Sequence, residues 1–252
     1  MHTYFAPSSL AFSNGGDTQT QQIRLNSTRV FWDPSYTDPN FPQPNYHGDS
    51  NYTSSCNPPA QAPQVIRMMK KWVADDYPGT KLAITEYNWG GLDHINGALA
   101  QADILGIFGR EGLDIVTLWG APDPVTQIPG IMSFEVFRNY DGAGAAFGDR
   151  AVTSTSADQG KLSVYGALRS SDDTLTIVVI NKTYGDLIST LSLGNFAAGG
   201  PAQIWLYSAA NVNAIVSKPN VPVTAPSGGS TTSSVSTTFP AQSITVLSIP
   251  KA

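Results

Sequence analysis

The hydrophobic pattern of this 252-residue chain changes once, near residue 150, and this change constrains the fold more than any single motif. Before it, apolar residues at helical spacing alternate with short apolar runs. After it, period-two runs alternate with turn residues. Helices and strands bury side chains at different periods, so the sequence predicts two regions of different architecture. We call them the N-terminal region (1–150) and the C-terminal region (151–252).

The N-terminal region is predicted to combine helices with parallel strands. The predicted elements are helices over 64–76, 95–105 and 131–140 and strands over 81–85 and 113–119. Strands and helices that alternate with short connections are typical of a parallel sheet covered by helices. A segment of a (β/α) barrel fits this order best. In such barrels the chemistry lies at the C-terminal ends of the strands.

The C-terminal region is predicted to be an antiparallel β-sandwich, because its strand-like runs are short and separated by turns. The predicted strands are 161–169, 174–181, 187–193, 202–208 and 243–249. Asp172 and Asp173 are predicted to form a hairpin turn between the first two. The Gly- and Ser-rich stretch 227–234 is predicted to be a flexible loop.

Composition favours a neutral ligand. Charged residues make up 13% of the chain, against roughly 25% in typical globular domains. The formal net charge of −5 argues against nucleic acid, whose binding needs clustered Lys and Arg. This composition suits an extracellular protein that handles neutral ligands.

The cysteine content and the hydropathy of the chain bear on where in or outside the cell the protein acts. Cys56 is the only cysteine, so no intrachain disulfide can form. No run of about eighteen apolar residues is present, so no membrane partner is expected. The first residues lack the pattern of a signal peptide. For an exported protein, the signal is therefore expected upstream of this sequence.

Glu86 is the strongest catalytic candidate, because it ends a predicted strand and is followed by Tyr87, Asn88 and Trp89. Retaining glycosidases use a carboxylate to attack the anomeric carbon, and they hold the sugar with aromatic faces and hydrogen-bonding groups. The alternative is an exposed acid at a strand end without a catalytic role. The aromatic neighbours favour catalysis.

Further aromatic residues are candidates for the sugar-binding surface. Trp119 ends the next predicted strand and could stack on a pyranose ring, although a core position is the alternative. Trp32 is a candidate of the same kind. Tyr4 and His2 lie on what reads as the end of an earlier strand, where a tyrosine can donate to a nucleophilic carboxylate. These residues and the three after Glu86 form the predicted binding set.

Other chemistries find little support in the sequence. None of the three histidines pairs with Cys56 at a zinc-ligand spacing, and the acidic residues between positions 33 and 49 lack the spacing of an EF-hand. No Gly-x-Ser-x-Gly motif is present. We therefore predict no catalytic metal and no required cofactor; a structural calcium ion is left open and is not predicted.

Several motifs together resemble one family, glycoside hydrolase family 44, the bacterial endoglucanases and xyloglucanases. The motifs are HTY (2–4), STR (27–29), WDP (32–34), YPGTKLAITEYNWG (77–90), GIFGREG (106–112), TLWG (117–120), RNYDG (138–142) and FPAQS (239–243). They span nearly the whole chain. The run from Ile84 to Gly90 is the specific one.

The resemblance implies a (β/α)8 barrel followed by a β-sandwich, and retaining hydrolysis of β-1,4-glucans such as cellulose, carboxymethylcellulose and xyloglucan. It makes Glu86 the nucleophile at the end of the seventh barrel strand and Trp119 an aromatic wall at the end of the eighth. His2 and Tyr4 would lie at the end of the sixth.

The sequence departs from the family pattern at one essential point. The family's general acid/base glutamate follows an asparagine, and this chain has no Asn-Glu pair. Of the other glutamates, Glu111 precedes a strand and Glu135 lies in a helical run. We therefore expect the chain to be the C-terminal part of a barrel enzyme, inactive by itself. Two alternatives stay open: a non-catalytic carbohydrate-binding or structural fragment, and another retaining β-glycanase such as a xylanase.

Overall fold

A computed structural model describes residues 3–5, 14–36, 64–226 and 231–252, with only the backbone described for 3–5. The helices are α1 (Thr18–Ser27), a 3-10 helix (Thr28–Phe31), α2 (Val65–Asp76), α3 (Ile95–Glu111) and α4 (Ile128–Arg138). The strands are β1 (Thr3–Phe5), β2 (Ala83–Asn88), β3 (Ile115–Leu118), β4 (Arg150–Val152), β5 (Leu162–Leu168), β6 (Leu175–Asn181), β7 (Leu187–Gly194), β8 (Ala202–Ser208), β9 (Asn211–Val221), β10 (Thr232–Phe239) and β11 (Ser243–Ile249). Among these helices, none is long and apolar enough to cross a membrane.

The N-terminal region contains a three-stranded parallel sheet in the order β1-β2-β3. Thr3 pairs with Glu86 on one side of β2, and Ala83 pairs with Ile115 on the other. Helix α3 connects β2 to β3, which is the strand–helix–strand arrangement that the sequence predicted. The sequence did not predict α1, whose first turn is capped by the Asp17 carboxylate, which accepts from the Thr20 amide.

Helix α3 is the central element of the molecule. The His94 side chain caps its N-terminus by accepting from the Asn96 amide, and Gly112, with φ of 66°, ends it in the left-handed conformation. Almost all of its residues are buried, because it is covered on several sides at once. It contacts α1, α4 and strands β5, β6 and β11.

The C-terminal region forms antiparallel sheets, as predicted. One sheet has six strands in the order β4-β5-β6-β11-β8-β9, and the other pairs β10 with β7. A core cluster between them includes Leu193 and Val235 from the smaller sheet and Val179 and Leu247 from the larger. Two sheets that share an apolar interior in this way make a sandwich.

The loop predicted over 227–234 is partly wrong, because β10 already begins at Thr232. Residues 227–230 lie outside the described residues. Beyond them, Ser233 and Val235 are buried while Thr232 and Ser236 are exposed, so the segment alternates like a strand. Because most of its residues are Ser and Thr, the sequence shows no alternation of apolar and polar residues. The segment is a strand because it pairs with β7, about forty residues earlier.

The two regions share one hydrophobic core. The larger core cluster joins Leu99 and Ile104 of α3 to Val178, Ile180 and Val246 of the six-stranded sheet. The outer face of the sheet packs on the two-stranded partner and its inner face packs on α3. The change of pattern near residue 150 therefore marks a change of architecture without a break in packing.

A buried ion pair lies within this shared core. The Asp103 carboxylate of α3 accepts from Lys182 Nζ at 2.8 Å, from the Tyr165 hydroxyl at 2.7 Å and from the Thr28 hydroxyl at 2.7 Å. Burial by itself would raise the pKa of Asp103, but the attraction of Lys182 and the hydrogen bonds from Lys182 and Thr28 hold it below its usual range. The two charges are thus paired and hydrogen-bonded, as buried charges need to be.

Candidate active site

Glu86 lies at a β-bulge near the C-terminal end of β2. Ile84 pairs with Val116 and Tyr87 pairs with Leu118, so two residues of β2 stand opposite Thr117 alone. Ile84 and Tyr87 are buried on the side of α3. The bulge residues Thr85 and Glu86 lie between them, and a bulge of this kind turns its extra side chain to the other side of the sheet.

This bulge decides the direction of the candidate nucleophile. In a regular strand every second side chain shares a face, so Glu86 would point with Ile84 into the core. From the bulge we infer that Glu86, which is half-buried, is turned to the opposite side, where Thr85 and Thr117 are exposed. We call this side of the three-stranded sheet the open face. Nothing in the local sequence signals the bulge.

Asn88 and Trp119 are brought to the same end of the sheet as Glu86. The Asn88 side-chain amide donates to the Trp119 carbonyl at 2.8 Å, and the Trp119 amide donates to the Tyr87 carbonyl at 2.8 Å. Asn88 Oδ1 also accepts from the Gly90 amide. The Trp119 side chain is 54% exposed. Asn88 therefore connects the ends of β2 and β3 and holds the backbone of an exposed indole.

Tyr87 and Trp89, which we expected at the sugar-binding surface, are core residues instead. The Tyr87 hydroxyl accepts from Gln101 at 2.7 Å, and burial raises its pKa to about 12. Trp89 is fully buried and donates through its indole to the Ser27 hydroxyl at 2.8 Å. Both side chains lie on the α3 side of the sheet, away from the open face.

Trp32, which we also expected at the sugar-binding surface, lies elsewhere in the structure. Its ring lies under the Arg110 guanidinium, 4.3 Å from the ring centroid, and near that of Arg67. Arg110 belongs to the last turn of α3, and this helix starts at the strand ends that carry Glu86. At about 1.5 Å per residue, that turn lies more than 20 Å from the helix start. Trp32 therefore packs at the opposite end of the structure.

The remaining predicted residues lie at the edge of what the structure describes. His2 is outside the described residues, and of Tyr4 only the backbone is described, where it pairs with Tyr87. The binding contributions predicted for both stay predictions.

The other two glutamates of the chain lie in helices. Glu111 is buried at the end of α3 and forms ion pairs with Arg67 and Arg110, each at 3.1 Å. Glu135 lies within α4. Neither shares the bulge that turns Glu86 to the open face.

Sequence reasoning missed Arg24, a buried cation behind the candidate site. Its guanidinium donates to the carbonyls of Trp89 and Gly15 and to the Asn96 side chain, at 3.1, 2.8 and 2.6 Å. It thereby holds the backbone that follows β2. The only sequence signal is an arginine on α1 with apolar neighbours, which usually indicates an exposed side chain.

Metal chemistry has no evident centre in the part of the chain that the structure describes. There, no three His, Cys, Asp or Glu side chains come together as a metal-binding group. The chemistry that the open face can support is that of a carboxylate beside an exposed indole and threonine hydroxyls, which suits a neutral, hydroxyl-rich ligand.

Comparison with known proteins relates the sequence and fold of this chain to polysaccharide-degrading glycosidases. No family model matches the chain. A crystal structure of CelM2, a bifunctional glucanase-xylanase from a metagenome library, is 42% identical with a TM-score of 0.82 over the whole chain. A family 44 endoglucanase of Clostridium acetobutylium is 26% identical with a TM-score of 0.78, again over the whole chain. Endoglucanase A of Paenibacillus lautus is 31% identical over 198 residues, which is 78% of the chain.

The resemblance to glycoside hydrolase family 44 is thereby confirmed. The chain spans only part of these proteins: 43% of CelM2, 47% of the Clostridium enzyme and 26% of the Paenibacillus enzyme.

Proposed function

We propose that this chain carries the nucleophile half of a retaining, endo-acting β-1,4-glucan hydrolase, with Glu86 as the nucleophile. The bulge that turns Glu86 to the open face beside Trp119 is the observation that carries the proposal. In this proposal the parallel sheet is the C-terminal segment of a (β/α)8 barrel, and the open face is turned to the barrel interior. Glu86 then lies at the strand end where barrel enzymes place their chemistry.

The proposed reaction proceeds in two displacements. The Glu86 carboxylate attacks the anomeric carbon while an acid protonates the leaving glycosidic oxygen, which gives a glycosyl ester on Glu86. Water, deprotonated by the same acid/base group, then attacks the anomeric carbon, expels the Glu86 carboxylate and releases a sugar of retained configuration. Trp119 supplies an apolar surface for a pyranose ring, and Asn88 holds that indole in place.

The general acid has to lie about 5 Å from the nucleophile in a retaining enzyme. Glu111 is engaged by two arginines at the end of α3, and Glu135 lies in α4. We therefore assign the proton donor to a glutamate outside these 252 residues. The proteins to which this chain is similar are about twice as long or longer, which supports the assignment.

The proposed substrate is a neutral β-1,4-linked polysaccharide outside the cell. The relatives are named as an endoglucanase and a glucanase-xylanase, and the chain's low charge content agrees with a neutral polymer. Xylan is the second candidate substrate, because CelM2 is described as cleaving both kinds of polymer. No cofactor takes part in the proposed reaction.

Labelling of the nucleophile tests the proposal. The longest natural form of the protein that contains these residues is treated with a 2-deoxy-2-fluoro-β-cellobioside carrying a good leaving group, which traps the glycosyl ester. We expect peptide mass spectrometry to find the sugar on Glu86. Glu86→Gln should lower turnover of carboxymethylcellulose by several orders of magnitude, whereas Glu135→Gln should retain it. A label on any other residue contradicts the assignment.

The 252-residue chain alone should bind glucan without cleaving it at an enzymatic rate. It is assayed on carboxymethylcellulose, xyloglucan and xylan beside its own Glu86→Gln variant. Turnover that this substitution abolishes would show a proton donor within the chain and contradict the assignment above.

A further inference from the structure

The bulge at Thr85 and Glu86 interrupts the hydrogen-bond ladder between β2 and β3. Two residues of β2 oppose one of β3, so the regular exchange of backbone hydrogen bonds cannot continue through this point. A displaced carbonyl in a sheet needs another donor. The side chain opposite the bulge belongs to Thr117.

Thr117 supplies such a donor. Its hydroxyl donates to the carbonyl of Thr85, the bulge residue that precedes Glu86. A β-branched threonine has a restricted χ1 angle, so its hydroxyl is held in a narrow range of directions. The hydrogen bond thus connects a stiff side chain of β3 to the peptide bond that leads into the nucleophile.

The residues on either side of the bulge are held in the core. Ile84 and Tyr87 are locked in the core on either side of the bulge. Val116 and Leu118, which flank Thr117, also pack against the core. Both strands are therefore anchored from the α3 side, and β1 pairs with β2 at Glu86 on the other edge, so the Thr117 hydroxyl fixes the bulge from the β3 edge.

We infer that Thr117 is a positioning residue: its hydroxyl sets the geometry of the bulge and thereby aims the Glu86 carboxylate at the anomeric carbon. This inference rests on the proposed function, because it assumes that Glu86 attacks the substrate. Thr117 acts through the backbone and has no need to contact the sugar.

Loss of the hydroxyl should slow formation of the glycosyl ester more than it weakens binding. A shift of about 1 Å in a reacting group costs on the order of 100-fold in rate. Thr117→Val keeps the shape of the side chain and removes the donor. For this variant we expect the rate constant of inactivation by the fluoro-cellobioside to fall by about 10- to 100-fold, as a displacement of up to about 1 Å would cause. The inhibitor's half-saturation concentration should change little. Thr117→Ser keeps the hydroxyl and should stay near the wild type.

The experiment uses the longest natural form of the protein, with melting temperatures measured for each variant. A slow Thr117→Val beside a near-normal Thr117→Ser supports positioning. Equal inactivation rates for Thr117→Val and wild type overturn it, as do equal losses in both variants. If Thr117→Val does not fold, Thr117→Ala is compared with Thr117→Ser by the same criteria. A wild-type label on a residue other than Glu86 overturns the proposed function and this inference together.

Discussion

At the scale of single residues, burial separates the aromatic side chains around Glu86 into two groups. Trp119 extends from the end of β3 with about half of its surface exposed, whereas Trp89 and Tyr87 are enclosed by α3 and the 3-10 helix. All three lie near or just after the C-terminal end of a parallel strand. Their environments differ because Tyr87 comes after the bulge and returns to the core side, while β3 continues its regular alternation to Trp119.

Trp119→Ala should therefore weaken glucan binding without loss of stability. An aromatic contact is worth roughly 0.5–1.5 kcal/mol beyond its buried area, which corresponds to about a 2- to 13-fold higher dissociation constant for a cello-oligosaccharide. The melting temperature should stay close to that of the wild type. Isothermal titration and thermal unfolding of the same samples measure both quantities.

Trp89→Phe is the matched control for this prediction. It removes the buried indole that donates to Ser27, so it should lower the melting temperature while oligosaccharide affinity is retained. A Trp119→Ala variant that melts early and binds normally would instead make Trp119 a structural residue.

At the scale of elements, α3 shows how close packing joins the two regions. Its residue Gly106 faces the ring of Tyr165 on β5 so closely that a Cβ atom there would lie 2.3 Å from a ring carbon. Gly109, one turn further, has nothing within 4 Å of its corresponding position. Two glycines of one helix therefore have opposite packing requirements.

Gly106→Ala should destabilise the protein and Gly109→Ala should not. At position 106 the ring of Tyr165, whose hydroxyl is fixed on Asp103, would have to move, which costs roughly 1–3 kcal/mol of unfolding free energy. At position 109 alanine relieves the poor helix propensity of glycine and should be neutral or stabilising by up to about 1 kcal/mol. Urea unfolding of both variants measures the difference. Equal stabilities would mean that α3 and β5 can separate at little cost.

At the scale of the whole molecule, one core serves both regions. Apolar side chains of β5, β6, β8 and β11 are buried against α3 and its neighbours; they are Tyr165, Val178, Ile180, Tyr207, Ile244 and Val246. The Asp103–Lys182 ion pair crosses the same interface with both partners fully buried. Separation of the regions would expose this apolar surface and leave a buried charge without its partner.

We therefore predict that the 252-residue chain unfolds in a single transition and that residues 151–252 alone do not form a stable sandwich. The isolated region should bind a hydrophobic dye and aggregate, because one face of its six-stranded sheet loses its cover. Calorimetry of the longer chain and dye binding of the shorter one test this. A soluble 151–252 fragment that melts cooperatively at the temperature of the longer chain would show that the sandwich is an independent domain.

The sequence by itself determined what depends on local periodicity. Strands β8 and β11 were predicted with their observed bounds, and the helical pattern before Pro78 matches α2, because each pattern records which side of an element is buried. Glu86 was also correctly placed near the end of a strand. These features need no knowledge of which segment packs on which.

Only the tertiary structure decided what depends on segments distant in sequence. The Ser-rich run after residue 231 becomes β10 through its pairing with β7, and α3 becomes the shared core of both regions through contacts with strands fifty or more residues away. The direction of Glu86 is decided by a bulge between β2 and β3, which follows from how two strands align. The hydrophobic pattern of neighbouring residues cannot predict such pairings, because the energy that selects them comes from contacts between residues far apart along the chain.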